Sequence, residues 1–370
     1  MKFSYWENKT WLSNIDFVIV GSGIVGLNCA LELRLKHPKS KIVVLEKGLV
    51  PYGASTRNAG FACFGSLTEI LSDLDSHSNL EVYELIKKRV SGLKRLRNLL
   101  GDKQIKYKQL GGNEIFLEND TEKLHQSLAK MNEINDLIEP LFNDKVFKLS
   151  RNTFNFKRTL DEIIFNKFEG QIDTGEMMDS LLNKVFKSNI KVINNVSVEN
   201  YEDTGSSVQV CTDQFSLSCN KLFIATNGFS ETIIKQKVVP ARAQVLITKP
   251  IKNLSAIGTF HLEQGYYYFR NIDDRILLGG GRNLDFQAEN TSEFGITDSI
   301  QSKLEQLLTD VILPETNFEI DQRWSGIMGI GNKKTTITKQ LSNNVYCGVR
   351  LGGMGVAIGT NIGAELANLI

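Results

Sequence analysis

Proline is scarce in this chain, with 6 in 370 residues, so glycine, with 30, does most of the punctuating. Cysteine is scarce too. Cys29, Cys63, Cys211, Cys219 and Cys347 are scattered, odd in number and form no CxxC pair. That argues against a disulfide framework and for free thiols in a reducing compartment. The four histidines, His37, His77, His125 and His261, share no metal-ligand spacing. No Ser/His/Asp or Cys/His constellation is readable, so no metal is expected and the chemistry is expected to come from a cofactor. An excess of charge is missing as well. Lysine and arginine number 43 against 42 acids, a formal net charge of +1, which argues against nucleic acid as a partner. No apolar run approaches the length of a membrane span. The opening Met1-Lys2-Phe3-Ser4-Tyr5-Trp6-Glu7 has no signal-peptide core, so a cytoplasmic location is expected.

What the chain does have is the run Asp16-Phe17-Val18-Ile19-Val20-Gly21-Ser22-Gly23-Ile24-Val25-Gly26, followed by Leu45-Glu46-Lys47. It reads as strand, glycine turn, helix, second strand and acid. Gly21 permits the tight turn, Gly23 lets backbone N–H groups approach a pyrophosphate, and Gly26 lets the helix pack close to the strand. The helix of residues 24–36, opened by Ile24 and Val25, points its positive end at the phosphates. Glu46 ends the neighbouring parallel strand, where a carboxylate accepts from ribose hydroxyls and disfavours a 2′-phosphate. Dinucleotide binding follows, and NADP is disfavoured.

Past Glu46 a nicotinamide-binding domain would go directly to a helix. Here residues 47–61 read as a long polar loop, too glycine-rich for a helix. Such a loop can lie along an extended ligand and offer it the Ser55 and Thr56 hydroxyls and the Arg57 and Asn58 side chains. An ordinary surface loop is the plainer alternative.

These residues resemble the D-amino-acid oxidase and glycine/sarcosine oxidase superfamily of FAD-dependent oxidoreductases. The matching blocks are Val20-Gly21-Ser22-Gly23-Ile24-Val25-Gly26-Leu27, Glu46-Lys47, and Gly53-Ala54-Ser55-Thr56-Arg57-Asn58-Ala59-Gly60. Later come Ile224-Ala225-Thr226-Asn227-Gly228, Pro240-Ala241-Arg242-Ala243-Gln244, Trp324-Ser325-Gly326-Ile327 and Gly352-Gly353-Met354-Gly355-Val356-Ala357. They follow family order across nearly the whole chain. The resemblance implies FAD. Cys63 follows the flavin loop and could lie near the ring, but it reads as a buried inert thiol, so non-covalent FAD is expected. Glu46 would hold the adenosine ribose. Ser55, Asn58, Ala59 and Gly60 would run beside pyrophosphate and isoalloxazine. Val196 would contact adenine through its backbone. Lys47, Ala54, Phe61, Ala225, Thr226 and Asn227 are further candidate cofactor-binding residues. Gly352, Gly353, Met354, Gly355 and Val356 would bring N–H groups and a helix N-terminus to the flavin's pyrimidine end. Negative charge on reduced flavin gives that last role independent sense.

The fold expected is α/β. A Rossmann-like FAD-binding domain (residues 1–77, 169–239 and 324–370) interleaves with an α+β substrate domain (78–168 and 240–323) on a mostly antiparallel sheet. Helices are expected over 81–100, 121–141 and 299–313, and a hairpin over 106–117 across Gly111-Gly112. Separate strands are expected over 207–211, 215–219 and 221–225, and further strands over 244–248, 265–270 and 275–279. Gly279-Gly280-Gly281 leads into Arg282-Asn283-Leu284-Asp285, not into a helix and acid, so it is no second dinucleotide site. With one such site, the substrate itself is the expected electron source.

By the resemblance, the substrate lies between the flavin and the antiparallel sheet. Candidate catalytic residues are Tyr266, Tyr268, Arg282, Met328 and Arg350, with Tyr267 and Arg270 also considered. Tyr266 and Tyr268 share one strand face, Tyr267 and Phe269 the other. Met328 stands where several amino-acid oxidases have an arginine for the substrate carboxylate, and a thioether cannot replace a guanidinium. Met354 stands where the family loop often has histidine. The expected activity is oxidation of a C–N bond in a small amine or amino acid, by hydride transfer to flavin N5 and hydrolysis of the imine. Oxygen or a quinone-type carrier would accept the electrons. Two alternatives stay open. One is a flavin oxidoreductase for a tRNA-linked or polyamine-derived N-alkyl amine, using the basic helix of residues 86–97. The other is a non-catalytic flavin-binding protein with a degenerate pocket.

Overall fold

Apolar runs and good helix formers in the first 45 residues produce one crossover. In the computed structural model, which describes residues 2–370, β1 (Ile15–Val20) leads through Gly21 into α2 (Ile24–Lys36) and returns as β2 (Ile42–Leu45). Both strands lie in the middle of a sheet and are buried on both faces, so they read as continuous apolar runs. A short helix, α1 (Tyr5–Glu7), precedes them.

The first sheet has eight strands. Its main path places β17 (Ile337–Ser342) and β18 (Val345–Val349) beside β11 (Ser216–Ile224), then β1, β2 and β8 (Lys191–Ile193). β9 (Val198–Asp203) and β10 (Val208–Thr212) extend it from β11. From β18 to β8 the pairings are parallel. α2, α7 (Thr174–Lys187) and α9 (Gly355–Ala367) cover one face with a large apolar core.

The second sheet also has eight strands, in the order β16 (Ile320–Ile330), β12 (Val239–Thr248), β15 (Arg275–Gly280), β14 (Tyr267–Ile272), β13 (Thr259–Leu262), β4 (Gly112–Glu114), β6 (Glu162–Asn166) and β5 (Phe147–Arg151). Only β13 and β4 run parallel. Its outer face packs on α8 (Asp298–Leu307), with Phe260, Phe269, Tyr267, Leu246 and Leu278 in that core. A small third sheet pairs β3 (Phe61–Ala62) with β7 (Gly170–Gln171). α4 (Leu67–Leu74), α5 (Asn79–Leu100) and α6 (Thr121–Phe142) form a separate apolar cluster.

Several expectations need correction. Residues 106–117 form no hairpin. Gly111, at φ 83°, turns the chain so that β4 lies between β13 and β6, and Lys108 bridges to Gln171. Residues 215–219 and 221–225 are not separate strands but merge in β11. The loop after Glu46 contains one helical turn, α3 (Ala54–Arg57), because its glycines flank that turn instead of interrupting it. The expected boundary at 323/324 falls inside β16, which pairs with β12 along its length. α5, expected in the substrate domain, also packs on α9. A Cβ at Gly92 would run into the Ala357 carbonyl oxygen.

That close approach makes Gly92 testable. Gly92→Val should destabilise the folded protein by about 1–3 kcal/mol through overpacking, and Gly92→Ala by less. Urea unfolding of the cofactor-loaded protein checks both.

Candidate active site

The carboxyl ends of the central parallel strands open into a cavity of about 1550 Å³ to which both sheets contribute walls. Sites for drug-sized ligands hold roughly 300–1,000 Å³, so a dinucleotide and a second small molecule have room together.

One end is built mainly from backbone. Gly21 holds φ 102°, and a Cβ there would lie 2.9 Å from the Ala225 carbonyl oxygen. Gly26 does not reach the cavity. It lies behind Gly21, where a Cβ would collide with the Gly21 carbonyl. Gly23 caps α2 without a side-chain hydrogen bond, and Gly23, Ile24 and Val25 line the wall. Glu46 is nearly buried. Its Oε2 accepts from Ser22 N at 2.9 Å and Ser22 Oγ at 2.6 Å, and its Oε1 accepts from Gly48 N at 2.9 Å. Three donors therefore orient a carboxylate that still faces the cavity beside Lys47. Val196, whose N–H donates to the Glu46 carbonyl at 2.9 Å, forms the adjacent wall.

The polar groups after Glu46 shape the loop more than they project from it. Ser55 Oγ accepts from Ile24 N at 3.0 Å. Thr56 Oγ1 donates to the Pro51 carbonyl at 2.9 Å. Asn58 donates to the Ser55 carbonyl and accepts from Gly60 N, both at 2.9 Å. Arg57 donates to the Ser325 carbonyl at 3.0 Å and lies between the Tyr52 and Phe294 rings, 4.3 and 4.4 Å from their centroids. Thr56 and Arg57 are thus committed within the chain. Ala54, Ser55, Asn58, Ala59, Gly60 and Phe61 all line the cavity.

Ala225, Thr226 and Asn227 lie opposite, with Gly352, Gly353, Met354, Gly355 and Val356. Asn227 Oδ1 accepts from Arg350 N at 3.1 Å and Leu351 N at 3.2 Å, holding that loop in place. α9 begins there with Met354 as an N-cap that forms no side-chain bond. Thr226 Oγ1 is buried without a partner. Two long helices therefore present N-termini without their own capping side chains to one cavity. Such ends suit a diphosphate and an electron-rich ring edge. The residues present fit FAD.

The other end is a chamber beneath the second sheet. Cross-strand register places Glu114, His261, Tyr268, Gly279, Val245 and Trp324 in one row. Directly paired residues share a face, and this row is the face opposite Phe260 and Phe269. Tyr266 and Tyr268 line the cavity, whereas Tyr267 is buried in the outer core. Arg270 is buried and does not line it. Arg282 lies towards the mouth, donating to Asn290 Oδ1 at 2.6 Å and stacking 4.8 Å from the Phe286 ring. Burial pulls its pKa down, against the pull of Tyr266 and Glu289. Met328 lines the wall. Arg350 does not, which corrects the expectation: with φ 64°, its side chain turns away to donate to the Thr335 carbonyl at 2.8 Å.

The chamber also contains ionisable groups outside the expected catalytic set. His261 Nε2 lies 2.6 Å from Glu169 Oε1, which also accepts from Thr259 Oγ1 at 2.7 Å. Burial alone would lower the imidazole pKa. Coulombic attraction and hydrogen bonding to Glu169, helped by Glu69 and Glu114, outweigh it and push the value up to about 9. Burial raises the Glu114 pKa, while hydrogen bonds from Thr68 and Ser66 oppose the rise. Cys63 also lines the chamber, and burial pushes its thiol far up, so it remains protonated. Tyr268 is raised to about 12 by burial.

The family model for FAD dependent oxidoreductases (DAO) matches residues 16–369. The chain belongs to that family. FAD is therefore its cofactor. Among similar proteins, a probable oxidoreductase, OrdL, from Haemophilus influenzae is 22% identical over 400 residues, covering 98% of this chain and 84% of OrdL. Among solved structures, L-proline dehydrogenase from P. horikoshii superposes with a TM-score of 0.75 at 18% identity, covering 96% of this chain and 93% of that one. Glycine oxidase from Bacillus cereus gives 0.74 at 16% identity, covering 96% and 94%. Those likenesses establish the shared fold.

Within this FAD-dependent oxidoreductase, the cavity-lining residues that sequence reasoning missed are His261, Arg89 and Glu69. The alternation Thr259-Phe260-His261-Leu262 held one usable signal, a histidine on the strand face opposite a phenylalanine. His261 also makes stability depend on pH. Its folded pKa of about 9 lies above the ordinary 6.5. The stabilisation is therefore complete below about pH 6.5 and is lost as pH rises through about 9. Thermal unfolding of the oxidoreductase should show a midpoint that falls across this window, with a shallower fall in His261→Gln.

Proposed function

We propose that this FAD-dependent oxidoreductase oxidises a C–N bond of a small amine or amino acid. The observation that carries the reading is continuity: the backbone-built nucleotide groove and the polar chamber beneath the second sheet are one cavity. A substrate in the chamber would lie beside the cofactor and away from bulk water. Bound FAD supplies a two-electron acceptor.

The chain's own groups then have definable tasks. Ala243, Val245, Ile327 and Met328 supply apolar wall that excludes water. Exclusion of water favours the unprotonated form of an amine. Among the described residues the Tyr268 hydroxyl has no hydrogen-bond partner, and Tyr268 lines the chamber, so the hydroxyl is available to a substrate. The start of α9 offers N–H groups where negative charge needs support. Glu46 would hold the adenosine ribose on the same reading. Oxygen or a quinone-type carrier would then take up the electrons. The names of similar structures, L-proline dehydrogenase, glycine oxidase and iminodiacetate oxidase, support an amine-bearing substrate class by analogy.

The basic helix gives no support to an RNA substrate. Its Lys88 pairs with Glu365, Arg95 with Glu32 and Arg97 with Asp102, each at 2.7–2.8 Å, while Arg89 is buried. A wall that retains several ionisable groups also differs from a decayed pocket.

Anaerobic mixing with a panel of amines and amino acids should bleach the flavin absorption band. Bleaching by hydroxy acids and by no amine would defeat the reading. For an accepted substrate, Tyr268→Phe should raise KM about two- to tenfold, the range for one net hydrogen bond.

A further inference from the structure

Arg89 is a buried cation without a counter-ion. It lies on α5, is 4% exposed and contributes to the chamber wall. Its Nη1 donates to the Phe64 carbonyl at 2.8 Å. Among the described residues, its Nε is buried without a partner and its Nη2 makes no hydrogen bond. Among the described residues, no carboxylate lies within salt-bridge distance of it. A guanidinium remains protonated under all ordinary conditions. Burying one with a single neutral acceptor is costly, and the cost falls sharply when an anion pairs with it.

The neighbours narrow the ligand. Phe61 and Phe64 bracket one short segment. The Phe61 ring lies 5.3 Å from the His261 ring, and the Phe64 carbonyl holds Arg89. His261 has its Nε2 committed to Glu169, and its Nδ1 makes no hydrogen bond among the described residues. Glu69, on the same wall, accepts from Ser66 N through Oε2. Its Oε1 makes no hydrogen bond among the described residues. The wall therefore offers unpaired donors on two buried residues and one open carboxylate oxygen, a set suited to a ligand with both signs of charge. Arg282 matches it less well: its Nε is likewise buried without a partner, but a side-chain amide oxygen and an aromatic ring already hold its guanidinium, and it is more exposed than Arg89.

We propose that Arg89 anchors the carboxylate of the substrate, reaching the chamber from α5 in compensation for the thioether at Met328. This rests on reading the chamber as the substrate site. The guanidinium fork would take the carboxylate, with the His261 ring as a second donor.

The test uses FAD-loaded protein and simple probes that require no turnover. Acetate and benzoate are titrated while the flavin absorption band is followed, with acetamide and benzamide as uncharged matches. At least one acid should perturb the band saturably, and its amide should not. Arg89→Gln should weaken that acid at least about 30-fold, as expected for truncating one side of a buried charge pair. Arg282→Gln should change it by less than about threefold. Binding of neither acid, equal binding of acid and amide, an unchanged affinity in Arg89→Gln, or the large loss in Arg282→Gln would each overturn the proposal. Loss of FAD from a folded Arg89→Gln protein would also overturn it, by placing the guanidinium on the cofactor. If Arg89→Gln does not fold, Arg89→Lys takes its place. A loss of about tenfold is then expected, because lysine lacks the fork, and an unchanged affinity overturns the proposal. Failure of every amine to bleach the flavin would defeat the proposed activity and leave an Arg89-dependent carboxylate site in place.

Discussion

The approach of α2 to β1 is the constraint on which the nucleotide end depends. Gly26 lies so near the Gly21 carbonyl that any side chain would force helix and strand apart. Only at that spacing do the first amides of α2 reach the carboxyl end of β1. The parallel register then carries the geometry outward. Val20 lies beside Leu45 on one side and Ile224 on the other, so Glu46 and Ala225 both emerge at the same edge. The cavity floor is thus a consequence of strand pairing around one tight turn.

The two ends of the cavity are made in different ways. The nucleotide end is mostly glycine, backbone amide and helix terminus, groups that can vary little without loss of the shape. The chamber is a row of side chains on the second sheet, where each strand contributes one position. Contacts from the second sheet to α3 and to β7 hold the ends in register. Trp324 Nε1 donates to the Arg57 carbonyl at 3.0 Å, Arg57 donates back to Ser325, and Gln171 donates to the Asn271 carbonyl at 3.2 Å. A fold that fixes the cofactor through backbone and leaves recognition to side chains can host different substrates without changing architecture.

This division explains what was legible in the sequence. Gly21, Gly23, Gly26 and Glu46 act through local turn geometry and a short crossover, so their spacing carried the information. The hairpin expected over 106–117 does not form because the partners of β4 are β13 and β6, which local alternation cannot specify. Arg350 was misplaced because a single positive φ redirects its side chain. The hydroxyls and amide after Glu46 promised ligand contacts, yet much of their hydrogen-bonding capacity goes into shaping the turn. His261 and Arg89 were overlooked for a deeper reason. Each is unremarkable alone and acquires character only from groups that folding brings near it: Glu169 for the imidazole, an absent counter-ion for the guanidinium.

The charge balance of the chamber has a chemical consequence for the proposed reaction. Glu69, Glu114 and Glu169 keep the His261 ring protonated at neutral pH, against the strong effect of burial. A cation held beside a bound amine disfavours the ammonium form, because two positive charges in a poorly solvated space repel. The apolar wall of Val245, Ile327 and Met328 acts in the same direction by excluding water. Glu69 limits the effect, since its carboxylate faces the same space and attracts a cation. The outcome depends on where the nitrogen lies. Near His261 and Arg89 a bound amine would be driven towards its electron-rich neutral form, and near Glu69 it would retain its proton. A substrate carboxylate paired with Arg89 would take up part of that positive potential, so the distance between carboxylate and nitrogen decides how readily the amine loses its proton.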